Sequence, residues 1–409
     1  MRQILTSILV AVSALVAAGL SDRNTMAQVP GEDVYTPLVV GVLTPPTFPF
    51  LGTDQQYHIA YDLEIGNASR LPGALLRLEV VDAEDPSRVI AAFEGDALLQ
   101  RTRTLSNQAV ADQSIAPSEG RVVWVDFPLA TQQDPPNAVF HRLTLLGASG
   151  PAAQSPTPLS YDVAPYDTSA GQPLVLAPPL KGKGWVALNG CCEPEYPHRT
   201  SFAPFNGSIV NGQMFAIDWK RMDDSGAFYG GDRTQNESYE DYGADVFAVA
   251  NGTVVQVLDS LDPNEPGILP AQDPVRAAAL TVQNVDGNNV VLDLGNGTYA
   301  FYGHLLKGSI TVVVGDRVTE GQKLAELGNT GNSNASHLHF HLMDSPSVVG
   351  SHGLPYVLKS FEYDGQVPAE VLEAADDYLS GDFGTGRLPV PQPRTNQLPL
   401  ALAVVNFPD

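Results

Sequence analysis

Short runs in which apolar and polar residues alternate, broken by turn signals and showing no helical periodicity, predict an all-β chain. Composition agrees: the 409 residues include 37 Gly and 33 Pro, and 43% of them are hydrophobic, which fits a β-rich chain with many turns. A chain of this length exceeds a single core and predicts two domains. With 22 basic against 46 acidic residues, the net charge of −24 argues against nucleic acid or an anionic membrane surface as partner.

Arg2, the apolar stretch from Ile4 to Leu20 and the small-residue site Thr25-Met26-Ala27 predict a secretory signal peptide over residues 1–27, with cleavage after Ala27, or after Ala18 as the alternative. The apolar stretch is short and rich in Ala and Ser for a membrane anchor, and no other run approaches that length. The mature chain is therefore expected to be soluble, and secreted or periplasmic.

Residues 28–165 are expected to form the first domain. Tyr57 to Leu63, Leu75 to Val81 and Gly120 to Phe127 alternate at strand length, which predicts an antiparallel β-sandwich with a loose resemblance to the immunoglobulin type. It carries no motif of its own and reads as an accessory domain that positions or shields a site elsewhere; carbohydrate binding is an open alternative. Gly150 to Pro158, followed by Tyr161 to Gln172, reads as a linker.

Residues 175–360 are expected to form the second domain, opened by Pro178 to Trp185, with Trp185 as a packing residue. Strands are predicted over Val246–Ala250, Thr253–Leu258, Ala279–Gln283, Asn289–Leu294, Thr298–Tyr302, Ser309–Val314 and Lys323–Leu327. Two insertions, Met222 to Tyr242 and Asp259 to Asp273, are long enough to be candidate walls of a substrate groove. In the tail, residues 361–409, Pro368 to Leu379 predicts a short helix, and the apolar Leu398 to Phe407 is expected to dock on a domain.

Chemistry concentrates in His337-Leu338-His339-Phe340-His341, which holds three of the chain's eight histidines. On a strand, positions i, i+2 and i+4 leave one face, so the three imidazoles can converge. A lone His is more often structural, but clustering at this period points to a catalytic or metal site. Asp218 ends the apolar run Met214 to Ile217, where a carboxylate is costly to bury unless paired or metal-bound. His198 follows Glu195-Tyr196-Pro197, and His304 follows the strand-like Thr298 to Phe301. One Asp and several His without a cysteine cluster suit zinc, with three protein ligands and an open position for water.

Gly243 to Val255 resembles the G-x-x-V-x-A-x-x-x-G-x-V core of the lysostaphin-like (LytM-type) zinc endopeptidases. So do Tyr302-Gly303-His304-Leu305, Val314 to Gln322, and Gly328 to Ser333 running into His337-Leu338-His339-Phe340. The resemblance covers roughly residues 180–350, with its blocks in the family's order. It implies a lysostaphin-like antiparallel β-sheet peptidase domain, Zn2+ as cofactor, and His198, Asp218 and His339 as metal ligands. It also implies that His304 and His337 polarise water and stabilise the oxyanion. His341, on the face of His339, is expected to support that ligand from behind.

The chain departs from the family at one place. The first His and Asp of the family are usually separated by three residues, whereas nineteen lie between His198 and Asp218. His198 must then sit on a loop that folds back beside the Asp218 strand; His341 is the alternative third ligand. Arg199 reads either as an outer neighbour of the site or as a plain surface residue. Cys191 and Cys192, the only cysteines, cannot build a disulfide framework. A vicinal disulfide, a Cys–His pair with His198, and an inert loop-lining pair remain open.

The resemblance implies hydrolysis of peptide cross-links in bacterial cell-wall peptidoglycan. The alternative is an inactive binding or regulatory module acting on another wall hydrolase. Which bond is cut and the oligomeric state are not legible.

Overall fold

The computed structural model describes residues 33–45, 47–130, 133–169, 171–193, 196–369 and 386–409. The signal segment, and the helix expected from Pro368 to Leu379 beyond residue 369, lie outside the described residues. Strands dominate the rest, as the alternation predicts. No helix among the described residues is long and apolar enough to cross a membrane.

The first part of the chain builds two antiparallel sheets. One runs in the order Leu38–Val42, Gln56–Asn67, Gly120–Ala130, Thr102–Thr104; the other runs Thr157–Asp167, Ala138–Gly147, Gly73–Asp82, Val89–Glu94. Alternate residues of each turn inward, and Tyr61, Leu63 and Val125 of the first meet Leu78, Leu143 and Tyr161 of the second in one buried core. Each such side chain contributes roughly 1.5–3 kcal/mol on burial.

The segment read as a linker supplies the strand Thr157–Asp167 instead. It lies at the sheet's edge and pairs on one side only, so Pro158 and Pro165 remove no ladder bond that the sheet needs.

The remainder forms a twelve-stranded sheet. Its main path runs Leu174–Leu176, Tyr356–Gln366, Ala403–Phe407, Gly182–Leu188, Ile217–Arg221, Leu338–Met343, Thr298–Gly303, Asn289–Gly295, Gly252–Leu258, Arg317–Val318. The apolar end of the tail is therefore a strand inside this sheet, paired with Gly182–Leu188 on one side and Tyr356–Gln366 on the other. Arg387–Gln397 pairs with Tyr356–Gln366 alone, and this edge position tolerates Pro389, Pro391 and Pro393.

Two predicted strands are absent. Ala279–Gln283 follows the short helix Pro274–Ala277, whose start is capped by the Asp273 carboxylate accepting from the Val275 and Arg276 amides; turn bonds then take its backbone groups. Ser309–Val314 runs extended beside Lys323–Glu326, but only Thr311 makes a backbone bond to it, too few for a ladder.

Tyr35–Asp409 forms one compact unit, so the sandwich packs directly on the large sheet. A polar bridge also crosses the sandwich core. His141 Nδ1–H donates to the Ala164 carbonyl at 2.8 Å, and Tyr61 Oη donates to His141 Nε2 at 2.7 Å. Burial is the main cause that pushes the His141 imidazole down to about 4, and both ring nitrogens are already committed to the neutral form.

The unfolded chain takes up this proton below about pH 6.5 while the folded chain does not, so stability falls as pH drops from about 6.5 toward 4. For a fully buried ring, the loss attributable to His141 is on the order of 3 kcal/mol. Denaturant unfolding from pH 7 to 4 should therefore show a shallower acid loss in His141→Gln than in the parent. Parallel curves would exclude the assignment.

Candidate metal centre

Sheet register places the first two residues of the site. Asp218 and His339 are direct partners across adjacent antiparallel strands, and Gly303 is the partner of His339 on the next strand. The chain turns immediately after Gly303, and His304 takes a left-handed φ of 60°, a conformation that costs a non-Gly residue about 1–3 kcal/mol and persists where surroundings impose it. Its imidazole thus enters beside His337, with ring centroids 4.6 Å apart.

His198 arrives by another route. Between it and Asp218 the chain makes a small hairpin, Ala203–Phe205 paired with Ser208–Val210, and returns through Asn211 to Ala216. That excursion absorbs the long spacing. His198 Nδ1–H donates to the Ala216 carbonyl at 3.0 Å, which leaves Nε2 with its lone pair, 3.3 Å from Asp218 Oδ2. His339 Nδ1 lies 2.8 Å from Asp218 Oδ1, and His337 Nε2 lies 3.5 Å from the same oxygen. Asn189 Nδ2 donates to Asp218 Oδ2 at 2.7 Å.

One ligand atom from each of His198, Asp218 and His339 lies within 4.8 Å of the others, and all three residues are buried. The donor set fits a zinc ion: two imidazoles and a carboxylate, with no cysteine. Each group also has a partner that fixes it. His341 Nδ1 sits 3.1 Å from His339 Nε2, so His339 can donate from Nε2 and leave Nδ1 free for a metal. Phe301 packs edge-on to His339, with ring centroids 5.9 Å apart, and tilted against His341 at 5.1 Å.

The electrostatics of the cluster turn on the Asp218 carboxylate. Burial opposes ionisation of Asp218, but the charges of His198 and His337 and the imidazole hydrogen bonds hold its carboxyl well below the usual range. Burial likewise pushes His198 down, yet the Asp218 carboxylate wins and lifts it above its ordinary value. His304 and His341 are held well below theirs by burial and neighbouring imidazoles, and His337 is lowered chiefly by burial. His304 Nδ1–H donates to Thr330 O at 2.7 Å and His337 Nδ1–H to Ala335 O at 2.9 Å, so both neutral rings keep Nε2 as an acceptor.

Six site residues singled out from the sequence thus meet here: His198, Asp218, His304, His337, His339 and His341. Cys191 and Cys192 are joined to each other by a disulfide, which leaves no thiolate to pair with His198. Arg199 is fully buried and turns away toward the sandwich. Sequence reasoning missed Asn189 and Asp286. Asp286 is buried, interacts electrostatically with His339 and His198, and has its carboxyl raised by burial; its backbone carbonyl accepts the His304 amide at 3.1 Å. Lys220, two residues beyond Asp218, donates from Nζ to Ser336 O at 2.8 Å and so steadies the approach to His337.

The insertions reach the same region. Asn236 Nδ2 donates to Asn264 O at 2.8 Å, and Asn264 Nδ2 donates to Gly331 O and Ser333 O at 2.7 and 2.9 Å. Both loops are thereby tied to the segment that precedes His337.

Residues 238–350 match the model of peptidase family M23. That stretch contains the blocks from Gly243 to Phe340 that resemble the LytM-type endopeptidases. Among solved structures, the catalytic domain of the antimicrobial peptidase lysostaphin from Staphylococcus simulans is 22% identical, covering 42% of this chain and 88% of that one, with a TM-score of 0.22. A zinc-containing peptidase from Vibrio cholerae is 14% identical over 75% of this chain and 85% of its own, with a TM-score of 0.22. The M23 metalloprotease pseudoalterin, of deep-sea origin, is 13% identical over 47% and 82%, with a TM-score of 0.25. At these TM-scores the likenesses carry no weight for the site. No curated protein matches the chain.

Asn189 sits at a left-handed φ of 56°, so Asn189→Gly removes its amide while sparing the backbone. Loss of a hydrogen bond to a buried carboxylate should lower unfolding free energy in denaturant by about 1–3 kcal/mol. A change below about 0.5 kcal/mol would mean that Asp218 does not depend on this donor.

Proposed function

We propose that the protein is a zinc-dependent endopeptidase that cuts peptide cross-links of bacterial peptidoglycan, exported to the periplasm or exterior by the segment at residues 1–27. The observation that carries this reading is the convergence of His198, Asp218 and His339, three zinc-type donors from separate segments, within 4.8 Å. The M23 match over 238–350, which contains His304, His337 and His339, supports a peptidase. The substrate class comes from the family resemblance.

A zinc ion held by these three residues supplies Lewis-acid polarisation and a lowered pKa for water. The chain's own groups do the rest. His198 and His339 present Nε2 and Nδ1 to the metal because Ala216 O and His341 occupy their other nitrogens. His304 or His337 takes the proton from water at Nε2, their Nδ1–H groups being committed to Thr330 O and Ala335 O. The ring that takes the proton becomes a donor at Nε2, able to stabilise the oxyanion and to return the proton to the leaving amine. Neutral imidazoles, held so by burial, are needed at the outset.

The alternative is an inactive binding or regulatory module acting on another wall hydrolase; the hairpin favours the active reading, because it lets His198 reach Asp218 across the long spacing.

Purified mature protein should bind one zinc, and Asp218→Ala and His339→Ala should each abolish binding by metal analysis. His304→Ala and His337→Ala should keep the metal while cleavage of cross-linked wall peptides falls by about 10²- to 10³-fold or more. Full zinc occupancy in the first pair would refute the ligand set; metal loss in the second pair would make those residues ligands; zinc without hydrolysis in the parent would favour the binding module.

A further inference from the structure

We propose that the N-terminal sandwich is part of the metal centre, with Asp62 acting through Arg199 as the positioning residue for His198. This rests on the metal reading above.

Arg199 follows His198 directly and is fully buried. Its Nη1 donates to Asp62 Oδ1 at 2.6 Å, and its Nη2 donates to Tyr61 O at 3.0 Å and Val125 O at 3.4 Å, all on sandwich strands. Asp126 Oδ2 lies 3.7 Å from Nε and also accepts Arg101 Nη1 at 2.7 Å. Two guanidinium groups thus face two carboxylates, a neutral cluster in a place where a lone charge could not be kept.

The grip extends along the loop. Asn107, from the sandwich, donates to Thr200 O at 2.6 Å, and Phe202 packs edge-on against Trp124 at 6.4 Å. Asp62 Oδ2 accepts Asn211 Nδ2 at 3.0 Å, and the same amide donates to Arg199 O at 3.0 Å. Asp62 therefore holds both ends of the excursion that separates His198 from Asp218. Ser201 Oγ lies 2.9 Å from His198 O and 3.0 Å from Asn211 Oδ1, which closes the loop on itself.

A group that only adds stability would not need to lie next to a metal ligand, nor to clamp both arms of the loop that presents it. The arrangement fixes where His198 Nε2 stands relative to Asp218 and His339. Altering a residue that orients a metal ligand typically lowers metal affinity about 10- to 100-fold.

The test uses the full-length mature chain and zinc alone. Zinc affinity by chelator competition, the visible spectrum of the cobalt(II)-substituted protein and thermal unfolding are measured for the parent, Asp62→Asn, Arg199→Lys and Tyr161→Phe. Tyr161 donates to Leu38 O and accepts the Leu38 amide within the sandwich, a pair that takes no part in the clamp, so its variant controls for simple destabilisation. Asp62→Asn and Arg199→Lys should weaken zinc about 10- to 100-fold and change the cobalt spectrum, whereas Tyr161→Phe should lose thermal stability with parental affinity and spectrum. Arg199→Lys keeps a cation opposite Asp62 and carries the decision if Asp62→Asn does not fold. Parental affinity and spectrum in the clamp variants would overturn the proposal and leave the metal reading standing. A parent that binds no zinc would overturn both.

Discussion

A carboxylate buried inside a sheet governs this structure. Asp218 has an apolar run before it and Trp219 after it, and a bare charge there would cost several kcal/mol. The fold answers with the amide of Asn189, which donates to it, and gathers His198, His337 and His339 around it, where a proton or a metal ion held between the rings and the carboxylate compensates the charge. Each of those imidazoles is in turn fixed by Ala216 O, Ala335 O or His341. The pairing depends on register. Asp218 faces His339 directly, and a slip of the Leu338–Met343 strand by one residue would turn both His339 and His341 to the opposite face. A left-handed His304, a long excursion after His198 and a row of buried imidazoles all hold one geometry around one charge.

The residues legible in the sequence were those whose signal is local. Three histidines at period two on an apolar strand, an Asp closing an apolar run and a His at a strand end each break their surroundings visibly. The sandwich strands were legible for the same reason. What escaped depends on pairing between distant segments. Asn189-Gly190 and Asp286-Gly287 read as ordinary turns, and nothing near them says that one donates to Asp218 or that the other lies within electrostatic reach of His198. The strand Thr157–Asp167 looked like a linker because Pro reads as a breaker, whereas at a sheet edge its missing N–H is harmless. Ala403–Phe407 looked like a tail because its partners, Gly182–Leu188 and Tyr356–Gln366, lie elsewhere in the chain. Conversely, β-branched and apolar residues in Ala279–Gln283 and Ser309–Val314 suggested strands that find too few backbone partners.

The hairpin between His198 and Asp218 is the most instructive departure from the family's spacing. An insertion there would ordinarily loosen the loop, since every added residue enlarges the conformations it can sample. Here the added residues carry the groups the sandwich holds: Phe202 on Trp124, and Asn211 on Asp62. The extra length therefore gives the sandwich a place to grip.

The segment that matches the peptidase family runs from 238 to 350 and supplies only one of the three proposed ligands, His339. His198 and Asp218 precede it. The Ile217–Arg221 strand, which brings Asp218 to His339, is wedged between Leu338–Met343 and Gly182–Leu188, and the latter is completed by Ala403–Phe407 near the other end of the sequence. Cut free, the matched segment would expose the edge of Leu338–Met343 and lose two donors at once. On the proposed reading the metal site therefore belongs to the whole Tyr35–Asp409 unit: the matched segment brings the histidines that move protons, the strands around it bring the carboxylate, and the sandwich steadies the remaining ligand.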